Sequence, residues 1–263
     1  MKITTLTSCC VDFFPEQDKT YVGGNSLNFA TQCKLSGIEN VCIVGAIGND
    51  GFGSLIKNHL DKENVNRDHL YSIDGPTASN KIFIDARGDR YFKADSWHGG
   101  AFDIFRLSEN DWTYIADSTL IAMPAGDPNL KELLKRKTDK QFVVIDFLDY
   151  FELEYIEQLI SRIDLVFLSA KEDMLEALRA LATKSGKMIV ATLGAKGSVA
   201  FYENRAYVQD AIDVDEIIDT TGCGDAFQAA FSIEWITTKD IRKALNAGAI
   251  AASKVLAFMG GVK

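Results

Sequence analysis

The stretch DTTGCGDAF, Asp219 to Phe227, places two glycines and two carboxylates where the apolar run FQAAFSIEWI begins. At a helix N-terminus about four backbone N–H groups lack intrahelical partners, the dipole presents its positive end, and glycine lets an anion approach the backbone. Gly222, Cys223 and Gly224 therefore form a candidate anion hole. Asp225, one step beyond, is placed to accept a proton from a hydroxyl that attacks a bound phosphoryl group. The plainer reading is a tight turn with an acid in the first helical turn, worth about 0.3–1 kcal/mol. Such a turn has no need of a glycine on each side of Cys223. Two better-known phosphate loops are absent: no segment reads G-x-x-x-x-G-K-[ST], and Gly222-Cys223-Gly224 lacks the third glycine of G-x-G-x-x-G and lies near the C-terminus.

The elements that must position these residues follow from hydrophobic spacing. VCIVGAI reads as a strand, and Phe52, Leu55, Ile56 and Leu60 then recur at helical spacing behind an Asp50 cap. The pattern repeats in TLIAMP before DPNLKELLKRK, where Asp127 can cap and Pro128 suits the first helical position. FVVID precedes a helical segment at 152–162, and DLVFLS precedes another at 171–185. MIVATL and SVAFYE follow, then helical segments at 223–237 and 240–258. Strand–helix alternation of this kind predicts an α/β fold: a mostly parallel sheet with helices on both faces and ligands at the carboxyl ends of its strands.

One region breaks the alternation. ASNKIFIDARGDRYFKA reads as two short β runs around the turn residues Arg87, Gly88 and Asp89. A hairpin alone is marginal in water, so it must pack with the extended KTYVGG segment, on another subunit, or over a ligand. A lid and an ordinary edge hairpin both fit that pattern.

The 263 residues, 47% hydrophobic, suffice for one large domain or two unequal ones. A formal charge of −9 argues against nucleic acid or an anionic membrane as the main partner. The five cysteines are odd in number, show no C-x-x-C spacing and mostly lie in apolar segments, which suits a reducing compartment. The N-terminal MKITTLTSCCVDFF has no apolar signal core, and no run of about eighteen apolar residues occurs. A cytoplasmic protein is expected.

DTTGCGDAF resembles the C-terminal signature of the ribokinase/PfkB-like carbohydrate kinases, D-T-x-G-A-G-D, with Cys223 in place of alanine. GGNSLNFATQCKLSGIENVCIVGAIGNDGFG resembles that family's other signature: a Gly-Gly pair, an asparagine four residues on, a helix, then G-x-[ILV]-G-x-D-x-x-G. The resemblance covers essentially the whole chain. It implies a three-layer α/β/α ribokinase-like fold, one kinase domain over 1–263, and a β lid formed from about 14–22 and 77–98. The implied activity is ATP-dependent transfer of a phosphoryl group to a primary hydroxyl of a sugar. ATP and Mg²⁺ would be required, with a monovalent cation such as K⁺ as an optional addition.

The resemblance also places roles. Asp225 would be the base, while the amides of Gly222, Cys223 and Gly224 would stabilise the transferring group. Asp12, Gly23, Gly24 and Asn28 fall where the family holds its sugar, although Asp and Asn also favour ordinary caps and turns. TLGAKGS resembles the family's T-x-G-x-x-G element, which puts Thr192, Gly194 and Gly197 near the ATP phosphates and ribose. Where the family often carries N-x-x-E, this chain has Ser169-Ala170-Lys171-Glu172, so Ser169 replaces the asparagine and Glu172 would act on Mg²⁺ through water. The segment from Asn246 resembles the border of the family's adenine pocket; Ala247 and Gly248 suit either a planar base or close helix packing. Asp219 is divided between shaping the turn and a cation site.

Arg90, on the expected hairpin, could meet an anionic or hydroxyl-rich part of a substrate, with Lys81 and Lys93 as further candidates. VVIDFLDYFE and FLSAKED resemble members that phosphorylate fructosamines such as fructoselysine more than ribokinase itself. Another ketose, a sugar acid or a nucleoside remains an alternative acceptor. So does a protein of the same fold that binds sugar or nucleotide without turnover. A homodimer through the lid is one arrangement the resemblance leaves open.

Overall fold

The computed structural model describes residues 1–85, 90–149 and 152–262. In chain order its strands are β1 Lys2–Leu6, β2 Cys10–Phe14, β3 Lys19–Gly23, β4 Asn40–Gly48, β5 Asn66–Ile73, β6 Ala78–Lys81, β7 Phe83–Ile84, β8 Arg90–Tyr91 and β9 Trp97–His98. They continue as β10 Leu120–Pro124, β11 Phe142–Asp146, β12 Leu165–Ser169, β13 Met188–Thr192, β14 Ser198–Tyr202 and β15 Arg205–Gln209. The main sheet runs β15-β14-β13-β12-β11-β10-β1-β4-β5. From β13 to β5 each neighbouring pair is parallel, and β14 and β15 fold back antiparallel at one edge.

Both faces of this sheet are apolar because successive residues of a strand point to opposite sides. In β11, Val143 and Ile145 join one core cluster and Val144 the other. Phe227, Phe231 and Trp235 of the helix Cys223–Thr238 pack on the Val144 side, where the rings of Phe167 and Phe231 meet edge-on at 5.4 Å. Ile115, Leu133 and Leu178 belong to the cluster on the opposite face. This is the three-layer α/β/α arrangement expected from the sequence.

The chain leaves β1 for β4 on one side and later returns to β10 on the other, so the carboxyl ends of β1 and β10 flank a topological switch point. There Thr7, held at φ 63°, donates from its hydroxyl to the buried carboxylate of Asp127. Asp127 also accepts from the Asn129 N–H at 2.6 Å and from its Nδ2 at 3.0 Å. These bonds correct the expected cap: the helix runs Leu130–Arg136 behind Asn129, and Pro128 lies ahead of it. The Asp127 carboxylate thus links the crevice to the approach of the helix, Oδ2 meeting Thr7 and Oδ1 meeting Asn129 one residue ahead of Leu130. Asp50, by contrast, does cap the helix Gly51–Lys62 through the Gly53 N–H at 2.8 Å.

A second sheet has the order β3-β2-β6-β9, with β2 antiparallel to β3 and parallel to β6, and β9 antiparallel to β6. The hairpin expected across 78–94 is divided. Ala78–Lys81 pairs with β2 and β9, and only β7 and β8 pair with each other, Phe83 opposite Tyr91 and Ile84 opposite Arg90. The turn residues Arg87, Gly88 and Asp89 lie outside the described residues. The sheet also starts earlier than the segment from 14, since β2 begins at Cys10. Asp50 ties it to the main body, accepting from Thr77 N at 2.8 Å and Thr77 Oγ1 at 2.6 Å. Among the described residues no helix is long and apolar enough to cross a membrane.

Candidate active site

The helix Cys223–Thr238 starts at Gly222, whose φ of 78° and ψ of −4° are left-handed. A Cβ there would lie 2.4 Å from the Gly261 Cα, so both the backbone conformation and the close approach of the C-terminal tail require glycine. The first intrahelical bond is Ala226 N to Gly222 O at 2.9 Å, and the Cys223 N–H turns to Thr220 O in a long contact of 3.3 Å. Burial pushes the Cys223 thiol up to about 12, so it stays neutral and the residue offers its backbone rather than a thiolate. Asp219 shapes this turn: Oδ1 accepts from Thr221 N at 2.9 Å and Thr221 Oγ1 at 2.7 Å, and Oδ2 from Gly260 N at 2.8 Å.

Asp225, in the first turn of the helix, is held at both carboxylate oxygens. Asn28 Nδ2 donates to Oδ2 at 2.7 Å and Asn25 Nδ2 to Oδ1 at 2.8 Å. The same Asn25 nitrogen donates to Asp146 Oδ2 at 2.8 Å, at the carboxyl end of β11. Burial raises Asp225 to about 7; the Asn28 bond opposes the rise, the Asp146 charge adds to it, and Arg90 and Asn25 oppose it. Asp146 is itself raised by burial. A carboxylate of this kind has a proton affinity suited to general-base work near neutral pH.

Asn25 and Asn28 lie one turn apart in the helix Asn25–Leu35, which Gly24 introduces at φ 102°. A Cβ on Gly24 would sit 2.4 Å from Ser8 O, and one on Gly23 2.0 Å from Asp12 Oδ2, so the glycine pair packs against β2 and its carboxylate. Asp12 is buried and raised to about 6, by burial above all, with the Arg90 guanidinium opposing. Arg90 acts on Asp12, Asp146 and Asp225 alike. The structure thus gathers Asp12, Gly23, Gly24, Asn28, Arg90 and Asp225, which the sequence scatters over the whole chain. Lys81 is exposed, and Lys93 Nζ lies over the Phe83 ring at 3.6 Å.

The residues expected on the nucleotide side lie along the same edge of the main sheet. Ser169 ends β12 and Thr192 ends β13; they are register partners with hydroxyls 3.3 Å apart. Gly194 (φ 59°) and Gly197 (φ 85°) bracket the turn that follows, and a Cβ on Gly197 would meet Gln209 O at 2.1 Å. Glu172 is exposed and pairs with Lys196 at 2.5 Å. Asn246 is exposed on the helix Ile241–Val255. Gly248 is occupied by packing, since a Cβ there would meet the Phe227 ring at 2.8 Å. Among the described residues no three His, Cys, Asp or Glu side chains converge on a metal position. Mg²⁺ fits these residues only as an ion held by phosphate and water, which is its usual habit.

Asn25 and Asp146 belong to the site and were not among the expected residues. Asn25 carried a signal, since it stands three residues before Asn28 on one helical face. Asp146 carried a weaker one, as an acid ending an otherwise apolar strand at the ligand-binding edge. Two surface hollows lie elsewhere, one lined by Tyr202, Trp235 and Lys239 and another by Trp112, Leu133 and Arg136, both toward the amino ends of the parallel strands.

A parallel sheet with this crevice and carboxylate defines a small-molecule kinase of the ribokinase-like fold. The sequence pattern described as "pfkB family carbohydrate kinase" matches residues 14–261, and the chain belongs to that family. It is an ATP-dependent carbohydrate kinase. The fructosamine kinase of Bacillus subtilis (strain 168) is 29% identical over 266 residues, covering 99% of this chain and 92% of that one. The fructoselysine 6-kinase of Escherichia coli (strain K12) is 26% identical over 261 residues, 98% of each chain. The ribokinase of Arabidopsis thaliana solved with ribose and ATP superposes with a TM-score of 0.82 at 22% identity, covering 98% of this chain and 93% of that one.

Proposed function

We propose that the protein transfers the γ-phosphoryl group of ATP to the 6-hydroxyl of a fructosamine such as fructoselysine, giving the 6-phosphate. The observation that carries this reading is Asp225, gripped by Asn25 and Asn28 at the mouth of the helix Cys223–Thr238. The similarity to fructoselysine and fructosamine kinases over nearly the full chain supports the choice of acceptor.

In this reading Asp225 takes the hydroxyl proton as the sugar oxygen forms its bond to the γ-phosphorus, and the bond from that phosphorus to the bridging oxygen of ADP breaks in line. The backbone N–H groups of Gly222, Cys223 and Gly224 stabilise charge on the transferring group. Asp12, Gly23, Gly24 and Asn28 hold the sugar, and Arg90 meets the adduct's carboxylate. Ser169, Thr192, Gly194, Gly197 and Asn246 line the nucleotide. Mg²⁺, bound to the phosphates, would neutralise their charge, and Glu172 would address it through water once released from Lys196. The second sheet acts as a lid that excludes water and aligns the hydroxyl.

The test is a panel of fructosamines, ketoses, sugar acids and nucleosides incubated with the protein and Mg-ATP. ADP release with a fructosamine, at higher kcat/KM than with the others, is expected. A panel without substrate-dependent ADP overturns the reading, and a preference for another class overturns the acceptor. For the lid, amide exchange at 79–85 and 90–94 should slow when sugar binds; unchanged protection removes closure.

A further inference from the structure

Four side chains of the second sheet stand in one row. Tyr21 of β3 pairs with Asp12 of β2, Asp12 with Asn80 of β6, and Asn80 with Trp97 of β9. Residues paired across strands project to the same face, and neighbouring strands are about 4.8 Å apart. The face that carries Asp12 into the candidate site therefore continues through Asn80 to Trp97. Cys10, two residues from Asp12 and so on the same face, packs with Ala78 and Phe102. The Phe102 ring meets Trp97 edge-on at 5.7 Å. The acidic part of the site thus runs on into an aromatic wall.

Asn80 Oδ1 is buried and accepts no hydrogen bond among the described residues. A buried acceptor without a donor is costly to keep, so the amide suits a ligand group that donates. Its neighbour Asp12 is a second buried acceptor. Two acceptors on adjacent strands match one nitrogen that carries two N–H donors, as a protonated secondary amine does. Trp97 is 47% exposed, leaving much of its surface open to an alkyl chain or to the edge of the cation.

We propose that Asp12, Asn80 and Trp97 form a subsite for an amine-linked substituent on the sugar. Asp12 and Asn80 each accept one N–H of the secondary ammonium, and Trp97 covers the chain beyond it. The subsite rests on the sugar-adduct kinase reading above and makes it more specific: the site selects the link between sugar and substituent, not only the sugar. Asp12 carries the charge complement, Asn80 the second acceptor, and the aromatic end accommodates substituents of different length.

The experiment compares fructoselysine with its ether-linked analogue, in which oxygen replaces the linking nitrogen, and with 1-deoxy-1-methylamino-fructose, which has the nitrogen but no chain. KM is measured for each, or Ki against fructoselysine for a compound that is not turned over. Asn80→Ala is expected to raise KM for both amine-linked compounds about tenfold while changing the ether by less than about threefold, with kcat little altered. Asn80→Ser, which keeps an acceptor, should recover part of the loss. Trp97→Ala should weaken fructoselysine and spare the methylamino compound, and Trp97→Phe should restore binding. Equal changes on amine and ether, as a hydroxyl-binding or purely structural Asn80 would give, overturn the subsite, and so does the absence of any change. If the unaltered protein turns over none of the compounds, the fructosamine reading of the acceptor falls, which is a separate result.

Discussion

Asn25 and Asp225 are 200 residues apart in the chain, yet Asn25 Nδ2 lies 2.8 Å from Asp225 Oδ1. The same nitrogen reaches Asp146 Oδ2, so a single amide uses both its hydrogens to hold two carboxylates beside each other. With Asn28 on Oδ2, the Asp225 carboxylate has little freedom to rotate. Asn25 and Asn28 fix its orientation, while its proton affinity is set first by burial and then adjusted by Asn28, Asp146, Arg90 and Asn25.

Replacing Asp225 by Asn should lower kcat by about 10²–10⁴, the usual contribution of a general base, while ATP binding persists. Calorimetric titration with nucleotide and ADP-release kinetics check the two halves.

The raised Asp225 predicts an acid limb in kcat/KM. The base must be deprotonated, so the rate should rise with pH through about 7 and then level off. Asp146→Asn removes a negative neighbour and should move the limb to lower pH; Arg90→Ala removes a positive one and should move it to higher pH. Cys10 and Cys223 face the same region, but both thiols are raised and remain neutral there. Opposite or absent shifts in the two pH profiles would remove Asp225 as the titrating group.

Gly222→Ala should destabilise the protein by more than the roughly 1–2 kcal/mol of a left-handed residue, because the new methyl also meets the Gly261 backbone. Urea unfolding reads the loss. Asp219→Ala should cost about 2–4 kcal/mol, since two N–H groups and one hydroxyl lose a buried acceptor.

Lys196 and Glu172 are both largely exposed, so their ion pair contributes little to folding. Glu172→Gln should leave the thermal midpoint unchanged and raise the Mg²⁺ concentration needed for half-maximal rate several-fold. Lys196→Ala frees Glu172 and should lower that Mg²⁺ concentration. Thermal unfolding and initial-rate titrations separate these effects from a loss of fold.

The layered fold was legible because each buried strand announces itself as an apolar run and each covering helix by its spacing. The strand β2 was not, because CVDFF is a short run crossed by one charged residue, and its partners lie far along the chain. The strand β5, NRDHLYSI, alternates polar and half-buried residues at an edge and gives little hydrophobic signal. The helix Glu109–Ile115 did carry one: Ser108 and Asp111 form a capping box that the S-x-x-D spacing shows. In the site, DTTGCGDAF declared the glycines and Asp225, but not Asn25, Asp146 or Asn80. Those residues take their meaning from partners supplied by tertiary contact, which no local pattern encodes. Gly248 shows the reverse case, a small residue that suited two purposes until the Phe227 ring settled one of them.

The tail glycines close the circle of the chain. A Cβ on Gly261 would lie 2.4 Å from Asn28 Nδ2, and one on Gly260 would touch Tyr21 at 3.0 Å, so the last residues seat against the first strands and helix. A side chain at either position would displace Tyr21 or the Asn28 amide that grips Asp225, so these two glycines act as spacers that set the width of the pocket mouth.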